Sequence, residues 1–147
     1  MKGIVKTNDW LDWKGHKFRT ILGSDDTGGV MAIIDSISRP GSSPPRHIHH
    51  AEDEVFVIRT GSCKVWIDGT ETTAGPGESV FIPRGKEHSF KVIGEEPCRH
   101  LIIFSPGGFE GFFHKMAAAQ YSIPDDMHAI TEVGAHHNLT FTGPPLD

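Results

Sequence analysis

Cysteine is scarce in this chain: Cys63 and Cys98 are the only two, and they form no CxxC pair. Two residues offer no disulfide framework, and a structural disulfide is not needed in a chain of this length, so both are read as reduced, partly buried thiols. No apolar run is long enough to span a bilayer, which removes a membrane partner from the expectations. The first eighteen residues lack the apolar core of a secretion signal, so a cytoplasmic location is expected. Positive charge is not in excess either. Fourteen Lys and Arg stand against nineteen Asp and Glu, giving a formal net charge of −5, which leaves a nucleic-acid partner with little electrostatic support.

What remains is an ordinary globular composition, 37% apolar and 22% charged over 147 residues, enough for one domain with a full core. With no repeat, low-complexity tract or linker in sight, residues 1–147 are read as that one domain. A β core spans about 30–105 and a helical segment about 108–137.

The β assignment rests on short runs of alternating apolar residues. Val30–Ser38, Glu54–Arg59, Cys63–Asp68, Glu78–Pro83, Ser89–Gly94 and Arg99–Ser105 follow one another at all-β spacing. Between them stand Gly- and Pro-rich punctuators. Asp68-Gly69 predicts a type I′ hairpin, whose two central positions both require positive φ. Beyond Pro106 the pattern turns helical, with Phe109, Phe112, Phe113 and Met116 on roughly one face. That face is expected to pack on the sheet, a lid over a cavity mouth being the other reading. A second helix is expected to begin at Ser122-Ile-Pro124, with Pro in its first turn and Asp125 and Asp126 near its positive end. Gly143-Pro-Pro is expected to end the ordered chain.

Histidine is abundant, ten in all. His16, His100, His114, His128, His136 and His137 have no partner at ligand spacing and are read as surface or supporting groups. His47 and His49 differ. Two residues apart, they leave the same face of a strand. With Glu54 and His88 they offer three imidazoles and a carboxylate, the donors that borderline divalent metals choose. Glu52, Asp53 and His50 are read as lying outside the site, the two acids as solvated rim residues.

These residues fall in two motifs. Gly41, His47, His49, Glu54 and Gly61 fit G-x5-H-x-H-x4-E-x6-G, and Gly77, Pro83, Gly85 and His88 fit G-x5-P-x-G-x2-H, with Val92 where N is usual. In these nine positions, and in the fifteen residues separating the motifs, the chain resembles the cupin superfamily, and in particular small single-domain cupins labelled quercetin 2,3-dioxygenase-like. The resemblance implies an all-β fold, a double-stranded β-helix or jelly-roll barrel, with short C-terminal helices. It implies one divalent transition metal (Fe, Mn, Ni, Cu or Zn) held by His47, His49, Glu54 and His88. Glu54 is in phase with Phe56 and Ile58, and His88 with Phe90 and Val92. These four apolar residues are therefore expected to line the substrate pocket.

The function expected is a metal-dependent dioxygenase in which Glu54 doubles as ligand and base toward a small planar hydroxylated or enolic substrate, with O₂ as partner. The alternatives are a metal-dependent sugar or keto-acid isomerase or lyase, and a non-catalytic small-molecule binder. Arg46, Arg84 and Lys86 flank the ligands and are read as solvated turn residues rather than substrate anchors. Trp10 and Trp13 are expected to cover a barrel end or a subunit contact. Similarity to cupins that pair through N-terminal strands makes a homodimer the default.

Overall fold

A computed structural model describes residues 3–147. In chain order its strands are β1 (Leu11–Trp13), β2 (His16–Leu22), β3 (Ala32–Ser38), β4 (Arg46–His49), β5 (Asp53–Thr60), β6 (Ser62–Ile67), β7 (Thr70–Ala74), β8 (Ser79–Ile82), β9 (His88–Ile93), β10 (Cys98–Ser105) and β11 (Leu139–Gly143). The helices are α1 (Ser24–Thr27), α2 (Glu110–Ala119) and α3 (Met127–Ala135). One sheet has the order β1-β2-β3-β10-β5-β8 and the other β11-β4-β9-β6-β7, every pair antiparallel. The fold is the double-stranded β-helix, two antiparallel sheets closing a jelly roll, with short helices after it.

Period-two alternation builds these sheets. Along β5, Glu54, Phe56 and Ile58 are buried and their neighbours are not; along β10 the buried set is Cys98, His100, Ile102 and Phe104. One face of each strand therefore meets the core while the other meets solvent. Asp68 and Gly69 have φ of 46° and 89° and connect β6 to β7 in two residues, the I′ geometry that Asp-Gly predicts.

Several elements were not legible. β7 has four of five residues exposed, so it carries no apolar period to read. The β1–β2 hairpin turns on Lys14 and Gly15, φ 52° and 89°, a second two-residue turn hidden by an ordinary lysine. The chain also stays ordered past Gly143. Pro144 O accepts from Arg46 Nη1 at 2.7 Å, and Leu146, buried, donates its N–H to Ser43 Oγ at 3.0 Å. The second C-terminal helix starts at Met127, not at Ser122–Pro124. Ser122 and Asp126 close a turn on each other first, Asp126 N–H to Ser122 O and Ser122 N–H to Asp126 Oδ2, both at 2.8 Å, which postpones the helix.

On the outer face of β3, Asp35 is buried between Arg19 and Arg99. Burial alone would raise its pKa, but hydrogen bonds from Arg99 and Arg19 outweigh that and hold the carboxyl below its usual range. Trp10 lies on the Arg19 guanidinium at 4.3 Å, so it caps this cluster rather than a barrel end.

Candidate metal centre

β4 presents His47 and His49 on one face, and β9 opens on His88 directly opposite His47. Glu54 comes from β5 in the facing sheet. The four ligand atoms all lie within 4.8 Å of one another. His49, Glu54 and His88 are buried, and His47 is half-buried.

The hydrogen bonds around the rings fix where the lone pairs point. His47 Nδ1 lies 2.7 Å from Pro45 O and His88 Nδ1 lies 2.9 Å from Lys86 O. A carbonyl only accepts, so each Nδ1 carries the hydrogen and each Nε2 faces the cluster with a free lone pair. Backbone anchoring of this kind is how ligating histidines are oriented. His88 Nε2 then sits 3.0 Å from Glu54 Oε1, and His49 Nε2 lies 3.6 Å from the same oxygen. Two lone pairs at 3.0 Å repel unless a cation, a proton or a metal ion, lies between them. The donor set therefore fits a bound divalent ion.

Titration behaviour supports the same reading for two of the three rings. Burial, then the charge of His88, pushes His47 down to about 3. Burial and the neighbouring imidazoles hold His49 well below its ordinary value, so both rings are neutral donors at physiological pH. His88 goes the other way: burial would lower it, but the hydrogen bond and charge of Glu54 outweigh burial and raise it.

The cluster opens on a cavity of about 520 Å³. Phe56 and Phe90 line it, as parity predicts, their rings edge to face at 5.3 Å. Ile58 and Val92 do not. Each lies two residues further along its strand, is 1% exposed, and fills the core beyond the cavity. Parity gives the face of a strand but not the depth at which a pocket ends. Val92 instead ties down the loop before the first ligands: its N–H donates to Ser42 O and its carbonyl accepts from Gly41 N–H, each at 3.0 Å.

The helix face packs on the core, as expected, and also lines the cavity. Phe109, Phe112 and Phe113 do both, with Phe109 edge-on to His49 at 4.4 Å. Trp13 lines it too, its indole N–H donating to Tyr121 O at 2.8 Å. Arg46, Arg84 and Lys86 are occupied elsewhere, by the Trp66 ring and Pro144 O, by Asp53, and by Asp68 respectively.

Glu52 is a correction. It is 4% exposed rather than solvated, and burial, followed by the charge of Glu54, pushes its carboxyl up to about 7. Parity does not govern a loop residue, and the short β4–β5 connection folds inward. Asp53 stays at the surface, paired with Arg84 at 3.2 Å.

Of the six histidines read as surface or supporting groups, His100 is wholly interior, packed between the Phe56 and Phe90 rings at 5.0 and 5.4 Å. Neither ring nitrogen has a hydrogen-bond partner among the described residues, and burial pushes its pKa down to about 4. The unfolded chain protonates first as pH falls, so stability is whole above about 6.5 and drains away between 6.5 and 4. His100→Leu should therefore gain on the wild type by about 2 kcal/mol between pH 7 and pH 5. Urea unfolding at the two pH values measures it; a gap that does not widen refutes the neutral, buried ring.

Residues 37–104 match the cupin domain family Cupin_2. Quercetin 2,3-dioxygenase of Bacillus subtilis is 26% identical over 98 residues, 67% of this chain and 29% of that protein. Tetracenomycin polyketide synthase protein TcmJ of Streptomyces glaucescens is 28% identical over 94 residues, 63% of each chain. The matched part spans less than two thirds of either relative. The cupin domain of Schizosaccharomyces pombe Cnp3 superposes with a TM-score of 0.60 at 18% identity, covering 80% of both chains, a likeness of fold.

Proposed function

Starting from the premise that this chain carries a cupin domain, we propose that it is a metal-dependent dioxygenase acting on a small planar hydroxylated or enolic compound. The observation that carries this reading is the set of four donor atoms within 4.8 Å at the wall of a cavity lined largely by aromatic and aliphatic side chains. His47, His49 and His88 would hold the ion, with Glu54 as a fourth donor. A bound divalent transition ion supplies Lewis acidity toward substrate oxygens and, where it is redox-active, a means for O₂ to react.

The protein's own contribution is orientation and proton handling. Phe56, Phe90 and Phe109 present ring edges and faces to a flat skeleton and keep water from it. Glu54 accepts the proton of the substrate hydroxyl or enol at its carboxylate oxygen, which becomes neutral and leaves the substrate oxygen anionic. The dioxygenase and polyketide-synthase relatives both support a substrate of phenolic or enolic character, by analogy only.

Metal loading followed by an oxygen-electrode screen tests this reading. A divalent ion at about a hundred times its Kd should stabilise the fold by about 2.7 kcal/mol, and His88→Ala should abolish that gain. Oxygen uptake with flavonols, catechols or enolised diketones should then follow. Conversion without uptake points to an isomerase or lyase; the absence of both metal-induced stabilisation and oxygen uptake overturns the proposal.

A further inference from the structure

The inward face of β3 changes character along the strand. Its inward residues near the metal donors are Ala32 and Ile34, and Ala32 pairs across Phe104 with the level of Glu54. The next two inward residues are Ser36 and Ser38, both buried and both lining the cavity. Ser36 is 1% exposed, and its hydroxyl has no hydrogen-bond partner among the described residues. It stands four residues from Ala32, about 13 Å along the strand.

Beyond Ser38 the lining turns basic. Arg39, Lys14 and His16 all border the cavity, whereas Glu54 is its one lining carboxylate. The Arg39 guanidinium lies against the Lys14-Gly15 turn, where a Cβ at Gly15 would come within 2.9 Å of Arg39 Cζ. Among the described residues, neither Lys14 nor Arg39 has an ion pair. The nearby Asp12 carboxylate is engaged by Gly15 N–H at 3.0 Å. In a protein of net charge −5, two unpaired cations and an unsatisfied hydroxyl thus converge on the end of the cavity away from the metal donors.

We propose that this end is an anion subsite, so that the substrate is an acid bearing a carboxylate opposite the hydroxyl or enol that meets Glu54. The inference rests on the reading above for the metal end only. The carboxylate accepts from the Ser36 and Ser38 hydroxyls, removing the penalty of a buried unpaired donor, while Arg39 and Lys14, both exposed, supply a favourable field from the rim.

The test compares 6-hydroxy-2-naphthoate with its methyl ester by calorimetry on the protein as purified, with and without Zn(II). The acid should bind at least tenfold more tightly than the ester. Ser36→Ala should cut acid binding about fivefold without affecting the ester, and should not lower thermal stability, since it removes a group that nothing satisfies. Arg39→Gln, at an exposed position, should also narrow the preference. Equal affinity for acid and ester, no measurable affinity for either, or a preference untouched by both substitutions overturns the subsite. Acid preference without oxygen uptake leaves the subsite standing and removes the dioxygenase. Uptake on neutral substrates without acid preference does the reverse.

Discussion

Glu54→Gln is expected to keep the metal and to lower turnover by about 10²–10⁴-fold, the range a positioned general base contributes. Gln retains an oxygen donor of the same reach, so the ion keeps three imidazoles and one oxygen. What disappears is the ability to take a proton. Glu54 is 4% exposed and its Oε1 lies 3.0 and 3.6 Å from two imidazole nitrogens, so no bulk water stands by to replace it. Elemental analysis of wild type and variant, paired with initial rates on the same substrate, separates ligand from base. Equal metal with undiminished rate places the base elsewhere, and Glu52, with its carboxyl pushed up to about 7, is then the next carboxyl to substitute. Loss of metal together with rate makes Glu54 an essential ligand and leaves the base question to a slower-exchanging ion.

The second large effect concerns folding. Gly61, the last position of the first motif, has φ +75°, and a Cβ there would stand 2.3 Å from Pro97 O and 2.9 Å from Cys98 Cα. Those are backbone atoms leading into β10, which cannot rotate away. The left-handed backbone alone costs about 1–2 kcal/mol in a non-glycine residue. Overlap with a fixed neighbour adds about 1–3 kcal/mol or more. Gly61→Ala should therefore destabilise by about 4 kcal/mol, in the exceptional range for one substitution. Gly41, Gly77 and Gly85 also have positive φ, but a Cβ at each meets nothing within 4 Å. Their alanine variants should cost only the conformational part, about 1–2 kcal/mol each. Urea titration of the four variants gives the order directly; Gly61→Ala no worse than the others would refute the close approach.

The contrast among these glycines shows what a motif conceals. All four stand in the pattern as equals, yet three answer to a local φ and one to a strand start thirty-seven residues away. The histidines follow the same logic. His47 and His49 were legible as a pair because two residues on a strand share a face whatever surrounds them. His88 was legible because it follows the Pro83-Arg-Gly85 turn at motif spacing. His100 sits in a strand whose alternation was also read, but nothing local indicated that both of its ring nitrogens would be left without a partner.

The C-terminal third was harder. α2 was visible from its aromatic face, and its contact with His49 was not, because no local period records which distant strand a helix will cover. β11 offered only the brief alternation Leu139-Thr-Phe141-Thr, and it becomes a strand where the edge of β4 is there to pair with. The Lys14-Gly15 turn and Arg39 were likewise unremarkable in the sequence. They acquire meaning only when β2 and β3 bring them to one rim.

The sequence by itself determined the donor set, the inward parity of the strands that carry it, and the class of fold that closes around it. Those follow from period-two geometry and fixed spacing, which are properties of neighbouring residues. Only the tertiary structure decided how deep the cavity runs, that Glu52 is buried, and that a serine-lined, basic end faces the metal donors. Each of those depends on segments far apart in the chain meeting across the barrel, and such meetings leave no mark on the residues beside them.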